Sequence, residues 1–338
     1  MVIARAYAKV NLALQVTGKR ADGYHLLDML NTSVSLHDTL YLREAEDFLL
    51  DIVTEEAYAT PGGGVGDLAD SGRFAAASGI LIQPAVLEKA TAISPPNESL
   101  QPSSQFAAVF QTALEQNTVL RAARALGAAL GQSGAHIRLV KRIPVGAGLG
   151  GGSADAAAAL LGLQALWKKT LPPAQLDALA LSLGADVPYC LRGGAARVGG
   201  VGERITPLAM PCSGAPLLML LAKPEQGLST ATVFGQHTLG PPTFDMQRAI
   251  AAVQCEKADA LAACGNDLTL TAGRLCPDIA ACMQQLVLYA DAVCLSGTGS
   301  AIWAAFSSEA MRQRAMNHCT FWHTAVQPVA YGVAVETT

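Results

Sequence analysis

The glycine-rich segment after residue 143 constrains this chain more than any other feature of its sequence. It consists of Pro144, Val145, Gly146, Ala147, Gly148, Leu149, Gly150, Gly151 and Gly152. Because glycine has no Cβ, this backbone can adopt positive φ angles and approach a ligand closely. Alternation over His136 to Val140 predicts a strand before the segment, and an Ala- and Leu-rich stretch predicts a helix from Ser153 to Trp167 after it. The sequence therefore predicts a strand, a glycine-rich loop and a helix in succession.

A loop of this kind at the start of a helix is typical of phosphate-binding sites. Its N–H groups can face a ligand together, and the helix dipole favours an anion at that end. Its glycines also cost conformational entropy, which an ordinary turn would avoid. We therefore interpret the segment as a phosphate cradle rather than a flexible turn.

Two common classes of phosphate loop do not fit the sequence. A Walker A loop requires G-x-x-x-x-G-K-[ST], and Gly18-Lys19 lacks both the earlier glycine and the following hydroxyl. A dinucleotide-binding loop requires an acidic residue about 20 positions downstream. Residues 170 to 173, at that distance, contain none. The sequence thus argues against a P-loop protein and against a dehydrogenase.

The length of the chain predicts two domains that share a cleft. With 338 residues, it exceeds the usual size of a single hydrophobic core. We place the domains at residues 1 to 210 and 215 to 338. Residues 54 to 116 are interrupted by Pro- and Gly-rich runs and are interpreted as an insertion in the first domain.

The charge and the cysteine content of the chain indicate which partners it can bind and where in the cell it is located. The formal net charge of -4 gives no overall basic surface for nucleic acid or for an anionic membrane. Arg5 and Lys9 interrupt the N-terminal apolar run that a secretory signal needs. The eight cysteines form no C-x-x-C pair and are interpreted as reduced thiols. We therefore predict a cytoplasmic protein that binds neither nucleic acid nor membranes.

The loop resembles the Pro-x-x-x-Gly-Leu-x-Ser-Ser motif of the GHMP kinases. Further segments are similar to the branch of that superfamily that acts on 4-diphosphocytidyl-2-C-methyl-D-erythritol. In family order they are Ala8-Lys9-Val10-Asn11-Leu12, Asp22-Gly23-Tyr24-His25, Gly184-Ala185-Asp186-Val187-Pro188, Gly265-Asn266-Asp267 and Ser296-Gly297-Thr298-Gly299-Ser300. The Asp22-to-His25 segment is the one specific to the cytidyl-substrate branch. The resemblance covers nearly the whole chain except residues 54 to 116, where the family normally has a short connection.

This resemblance implies a fold and a reaction. The fold is α+β with two domains, a ribosomal-protein-S5-like N-terminal domain and a ferredoxin-like C-terminal domain. The reaction is phosphorylation of the 2-hydroxyl of the cytidyl substrate by ATP with Mg²⁺, a step of non-mevalonate isoprenoid precursor biosynthesis. The implied partner is a small-molecule substrate, and the implied assembly is a monomer or a homodimer.

The resemblance also assigns roles to individual residues. Lys9 and Asp186 are the implied catalytic pair, in which Asp186 accepts the proton of the acceptor hydroxyl and Lys9 keeps that carboxylate ionised. Tyr24 and His25 would bind the cytosine base, and Asn11 the acceptor's hydroxyls or diphosphate. The implied nucleotide site consists of Pro144, Val145, Gly146, Ala147, Gly148, Leu149, Gly150, Gly151, Gly152, Ser153 and Ala154.

The loop offers fewer hydroxyl groups to a metal ion than the family pattern does. Ser153 is the expected Mg²⁺ ligand among the protein oxygens. Ala154 stands where the family often has a second serine. Position 154 therefore offers no hydroxyl to a metal or a phosphate.

Two alternatives stay open at this stage. One is another GHMP kinase that acts on homoserine, mevalonate or a sugar, for which a cytosine clamp at Tyr24 and His25 would have no use. The other is a non-catalytic nucleotide-binding protein on the same scaffold, which would not need both Lys9 and Asp186.

Overall fold

The computed structural model describes residues 1–54, 116–209, 217–255 and 257–338. The predicted insertion falls outside these residues except at its two ends, as does most of the junction between the two predicted domains. The division of the chain near residues 210 to 215 therefore stays a prediction.

Strands and helices alternate irregularly along the described chain. The strands are β1 (Val2–Lys19), β2 (His25–Arg43), β3 (Phe48–Thr54), β4 (Ala135–Lys141), β5 (Ala196–Gly200), β6 (Arg204–Pro207), β7 (Leu218–Lys223), β8 (Ala292–Leu295), β9 (Ile302–Phe306), β10 (Trp322–Val326), β11 (Pro328–Val329) and β12 (Val333–Thr337). The helices are α1 (Thr118–Leu130), α2 (Gly151–Trp167), α3 (Pro173–Leu183), α4 (Val187–Arg192), α5 (Thr230–Gln236), α6 (Met246–Cys255), α7 (Thr269–Leu275), α8 (Pro277–Val287) and α9 (Glu309–His318), with a 3₁₀ turn at Ala260–Ala263.

The first sheet is built on a long antiparallel hairpin. Its strand order is β12-β1-β2-β4-β3; in addition, β5 and β11 pair with β2, and β6 pairs with β5. The hairpin closes at the pair Lys19 and His25, so the predicted turn carries Tyr24 at its tip. Helix α2 covers this sheet with the fully buried residues Ala156 to Ala159, whose small side chains allow close packing.

The second sheet has the order β10-β7-β9-β8 and is antiparallel throughout. Helix α8 packs on it around Ile279 and Cys282, which belong to the same apolar core as Phe306. The last strand, β12, leaves this part of the chain and pairs with β1. The mixed content of helices and strands agrees with the predicted α+β class.

Two predicted element boundaries differ from the structure. The helix after the loop begins at Gly151 rather than at Ser153, because Gly150 adopts φ +67° and ends the loop there. The helix expected near Phe244 to Ala263 ends at Cys255, and a separate 3₁₀ turn follows, at which the Asp259 carboxylate accepts the N–H of Ala260. No helix in the described residues is both long and apolar enough to cross a bilayer.

Candidate active site

Strands of the first sheet, the glycine-rich loop, helix α5 and the turn at Gly297 and Thr298 line a cavity of about 1140 Å³. The sequence-predicted residues that line it are Lys9, Asn11, Tyr24, His25, Asp186 and the whole segment from Pro144 to Gly152. The remaining two, Ser153 and Ala154, follow in the first turn of α2 without lining the cavity. Ala154 is fully buried. The predicted catalytic, base-binding and phosphate-binding residues thus converge on one space.

The loop is held in place through its carbonyl groups. Four consecutive carbonyls accept hydrogen bonds from outside the loop. The bonds are Leu228 N–H to Gly146 O at 3.4 Å, Ala301 N–H to Ala147 O at 2.9 Å, Ser296 Oγ to Gly148 O at 3.1 Å and Lys9 N–H to Leu149 O at 3.0 Å. Three of these donors come from the second half of the chain, and the fourth comes from β1.

This anchoring leaves the N–H groups of the loop for a ligand. Within the described residues, the N–H groups of Gly148 to Gly152 donate no hydrogen bond. Helix α2 begins directly behind them, and no side chain caps its first turn. A helix start with open N–H groups and a positive dipole end is suited to a phosphate.

The predicted catalytic pair is formed in the structure. Lys9 Nζ lies 3.5 Å from Asp186 Oδ2. The Lys9 side chain is 7% exposed, whereas the Asp186 side chain is 32% exposed and faces the cavity. The ammonium therefore lies beneath the carboxylate, which is the more accessible of the two groups for an incoming hydroxyl.

The loop backbone also packs against the aliphatic part of Lys9. A Cβ at Gly150 would lie 2.7 Å from Lys9 Cγ, and the φ of +67° there suits glycine. We expect Gly150→Ala to displace the lysine, lowering kcat about 100-fold and stability by about 1–2 kcal/mol. Steady-state kinetics and thermal unfolding measure the two effects.

The matched control for this change is Gly273→Ala in helix α7. A Cβ at Gly273 meets nothing within 4 Å, so this variant should keep full activity. Wild-type kcat in the Gly150→Ala variant would show that the loop does not set the position of Lys9.

Asn11 is fully buried next to the pair formed by Lys9 and Asp186. Its Oδ1 accepts a hydrogen bond from Lys9 Nζ at 2.6 Å, and its Nδ2 donates to Asn31 Oδ1 at 2.7 Å. Its backbone is fixed as well, because its N–H bonds Ser296 Oγ at 3.1 Å and its C=O accepts from Trp303 Nε1 at 3.0 Å. In this arrangement the amide contacts the lysine, and the predicted contact with substrate stays a prediction.

A buried group of charges supports the entrance to the loop. Lys141 Nζ bonds Asp155 Oδ2 at 2.7 Å and also bonds Asp38 Oδ2. The other oxygen of Asp38 accepts the N–H groups of Arg142 and Ile143. Asp38 therefore fixes the chain just before the glycine segment, a role that the sequence did not predict.

Two carboxylates share this one ammonium. Burial raises the pKa of the Asp155 carboxyl, and the nearby Asp38 carboxylate adds to the shift, while Lys141 opposes it. Burial acts against the charge of Lys141, but the two carboxylates together raise its pKa. Lys141 is therefore a cation at neutral pH, and it lines the cavity beside the start of α2.

The cavity contains, beside His25, an aromatic residue that the sequence did not predict. The ring of Phe234, in α5, stacks on His25 with centroids 4.8 Å apart and an interplanar angle of 21°. Tyr24 is 67% exposed at the tip of the hairpin and lines the same cavity. The only indication of this contact in the sequence was an aromatic residue after strand β7. Its helix has seven residues, which is too short for a periodic pattern to show which side chains face the cavity.

The protonation state of His25 follows from its surroundings. Burial against Phe234 lowers the pKa of His25, and the positive charges of Lys19 and His237 lower it further. The imidazole is therefore neutral at neutral pH, with one ring nitrogen as donor and the other as acceptor.

The residues around the loop fit a nucleotide-bound Mg²⁺ better than a metal held by protein alone. Within the described residues, no group of three or more His, Cys, Asp or Glu side chains is placed to hold a metal. Asp155 Oδ1 is buried without a hydrogen-bond partner there, and Asp155 lines the cavity. One Asp155 oxygen beside a phosphate cradle matches the way Mg²⁺ binds, mainly through phosphates and waters, and a bound cation would lower the raised pKa of this carboxyl.

Comparison with known proteins identifies the family. The model of the GHMP kinases N terminal domain matches residues 117–194. The 4-diphosphocytidyl-2-C-methyl-D-erythritol kinase of Polaromonas sp. is 38% identical over 304 residues, which cover 88% of this chain and 81% of that protein. The protein of the same name from Pelotomaculum thermopropionicum is 36% identical over 291 residues, covering 85% and 82%. The chain belongs to the 4-diphosphocytidyl-2-C-methyl-D-erythritol kinase family.

Solved structures agree with membership of the 4-diphosphocytidyl-2-C-methyl-D-erythritol kinase family. A crystal structure of 4-(cytidine 5'-diphospho)-2C-methyl-D-erythritol kinase matches with a TM-score of 0.66 and 28% identity, covering 96% of this chain and 99% of that one. The mevalonate kinase of Methanococcus jannaschii matches with a TM-score of 0.62 but only 11% identity, which shows a shared fold alone. The predicted α+β, two-domain GHMP kinase fold is confirmed.

Proposed function

We propose that this chain transfers the γ-phosphate of ATP to the 2-hydroxyl of 4-diphosphocytidyl-2-C-methyl-D-erythritol, giving the 2-phosphate and ADP. The observation that carries this proposal is the convergence of the phosphate loop, the Lys9–Asp186 pair and the aromatic group at His25 on one cavity. This step belongs to non-mevalonate isoprenoid precursor biosynthesis.

In the proposed reaction the loop binds the phosphates and Asp186 orients the acceptor. The 2-hydroxyl oxygen attacks the γ-phosphorus, the bond from that phosphorus to ADP breaks, and the hydroxyl proton passes to the Asp186 carboxylate. An aspartate is a weak base toward an alcohol, so the proton moves late, as the phosphoryl group arrives. Positioning and electrostatics therefore provide most of the rate.

Lys9 acts on both Asp186 and the attacking hydroxyl oxygen. Its ammonium pairs with the Asp186 carboxylate, and it stabilises negative charge that develops on the attacking oxygen. Because the lysine is buried, it is screened by little water, which strengthens both effects. The N–H groups of Gly148 to Gly152 stabilise charge on the transferring phosphoryl group from the other side.

Magnesium belongs to this proposal as a companion of ATP. Bound Mg²⁺ would neutralise charge on the phosphate oxygens during transfer. The Asp155 carboxylate and the Ser153 hydroxyl are the protein oxygens nearest in sequence to the cradle that would hold it. Lys141 adds a second positive charge at the same end of the cavity.

The cytosine base is proposed to bind between Tyr24 and the pair formed by His25 and Phe234. Stacking of a base on an aromatic ring contributes about 1–3 kcal/mol and tolerates rotation, so hydrogen bonds must add the specificity. The neutral His25 ring offers one donor and one acceptor for the edge of the base. Its depressed pKa keeps this pattern intact at neutral pH, and protonation in acid would remove the acceptor.

The proposal is tested by ATP- and Mg²⁺-dependent phosphorylation of two acceptors. One is 4-diphosphocytidyl-2-C-methyl-D-erythritol, and the other is the methylerythritol phosphate that lacks the cytidyl group. We expect turnover only with the first. Equal turnover of homoserine or mevalonate would replace this substrate by that of another GHMP kinase, and ATP binding without any turnover would favour a regulatory protein.

The role of Phe234 gives a specific prediction. Phe234→Leu keeps an apolar side chain but removes the ring, so KM for the cytidyl acceptor should rise about tenfold while KM for ATP stays unchanged. Tyr289→Leu is the matched control, because it breaks a similar stack, Tyr289 on His318 at 5.3 Å, outside the cavity. An unchanged acceptor KM in Phe234→Leu would contradict the base clamp.

The expected cytoplasmic location, and the expected monomeric or homodimeric state, remain predictions from the sequence.

A further inference from the structure

Asn31 is a fully buried polar residue that the proposed reaction does not use directly. It lies in the middle of β2 and is the cross-strand partner of Asn11 on β1. It is 0% exposed and does not line the cavity. A buried amide on a sheet face is costly unless its hydrogen bonds are made, so its presence calls for a physical reason.

The hydrogen bonds of Asn31 lead to the catalytic lysine. Lys9 Nζ donates to Asn11 Oδ1 at 2.6 Å, and Asn11 Nδ2 donates to Asn31 Oδ1 at 2.7 Å. Met29 Sδ lies 3.3 Å from the same Asn11 nitrogen but is a weak acceptor. Asn31 thus provides the strong acceptor for the Asn11 amide.

The positive charge of Lys9 fixes which group donates and which accepts in each of these hydrogen bonds. An ammonium can only donate, so Asn11 must turn its oxygen toward Lys9 and its nitrogen toward Asn31. Asn31 must then present oxygen to that nitrogen. Its own Nδ2 is left buried without a partner in the described residues.

That unpartnered N–H indicates that stability is not the reason for the amide. A buried donor without an acceptor destabilises a fold by about 1–3 kcal/mol, and an apolar side chain at this position would avoid the cost. The Asn31 amide oxygen nevertheless lies next to Asn11.

We infer that Asn31 is a positioning residue, which holds the Asn11 amide in the orientation that places the Lys9 ammonium beside Asp186. The inference rests on the proposed function, since it concerns the lysine of that reaction. With Asn31 replaced by an apolar residue, the Asn11 amide can rotate, and Lys9 loses the acceptor that holds its ammonium. A small displacement of a catalytic group is enough to lower a rate by one to two orders of magnitude.

The test is Asn31→Leu, which keeps the number and branching of the side-chain heavy atoms but removes both polar groups. We expect kcat to fall about tenfold, both KM values to change by less than about twofold, and the thermal midpoint to stay within about 3 °C of wild type or to rise. Thr32→Val is the matched control, because Thr32 is buried on the same strand, is the cross-strand partner of Val10 and bonds the Ser33 carbonyl rather than Asn11. That control should keep kcat within about twofold.

A double-mutant cycle separates positioning from a general structural effect. In an Asn11→Ala background, Asn31→Leu should lower kcat by less than about twofold, because the hydrogen bonds that join Lys9, Asn11 and Asn31 are already lost. Losses that multiply in the double variant, or a fall in activity that parallels a fall in thermal midpoint, would overturn the inference.

A crystal structure of Asn31→Leu gives a second readout that does not depend on turnover. We expect Lys9 Nζ to move out of hydrogen-bond distance of Asn11 Oδ1. An unmoved ammonium would refute the positioning role even if the enzyme acted on a different acceptor, whereas an inactive wild-type protein with the expected displacement would count against the proposed reaction alone.

Discussion

Asp186→Asn is expected to lower kcat by about 10²–10⁴-fold, the range for losing a positioned general base. The asparagine has the same shape, but it cannot take the hydroxyl proton and has no charge for Lys9 to pair with. Because the proposal places the acceptor at Asp186 and the nucleotide at the glycine-rich loop, ATP affinity should change by less than about threefold. Steady-state kinetics and calorimetric titration with a non-hydrolysable ATP analogue measure the two quantities.

The control for this variant is Asp177→Asn. Asp177 forms an exposed ion pair with Arg192 at 2.6 Å, so the variant loses a carboxylate of comparable chemistry outside the cavity. Its kcat should match wild type, since exposed ion pairs contribute little. Turnover of Asp186→Asn at the wild-type rate would remove this carboxylate from the mechanism.

Lys9→Met is expected to lower kcat by about 10²–10³-fold. The methionine fills the space of the lysine stem but removes the charge next to Asp186, and it leaves Asn11 Oδ1 buried without its donor. The second loss destabilises the fold by about 1–3 kcal/mol, so thermal unfolding should detect it as well. Kinetics at saturating ATP, compared with the thermal midpoint, separates the two effects.

Lys19→Met is the matched control, because Lys19 also lines the cavity but is exposed at the end of β1. Its kcat should change by less than about threefold. If both lysine variants lost kcat equally, the general positive potential of the cavity, rather than the specific contact of Lys9 with Asp186, would be responsible.

Local sequence was sufficient to predict the elements on both sides of the glycine-rich loop. The strand before the loop and the helix after it depend on residues close together in the chain. The glycine content predicted a backbone with positive φ, and Gly146, Gly148 and Gly150 adopt it. The two-residue error at the helix start arose because serine is a common N-cap, whereas here Gly150 ends the loop.

The residues that the sequence did not predict depend on register between distant strands. Asp38 reaches the loop because β2 pairs with β4, which brings it next to Lys141. Asn31 faces Asn11 only because β1 and β2 pair in one register, with irregularities on both sides of Lys9 and Asn11. A single sequence gives no direct signal of such register, and polar residues within an apolar strand pattern were the only indication.

The glycine-rich loop is anchored by the second half of the chain, so the first sheet cannot be separated from that half without disturbing the loop. Gly148 packs so closely on the turn at Ser296 that a Cβ there would lie 2.4 Å from the Ser296 carbonyl oxygen. Ala301 and Leu228 bond the neighbouring loop carbonyls from the same part of the chain. The proposed nucleotide site therefore depends on contacts from the second half of the chain. If ATP binds at this loop as proposed, its binding is thermodynamically linked to the folding of the second sheet, so that nucleotide would stabilise that sheet and damage to the sheet would weaken nucleotide affinity.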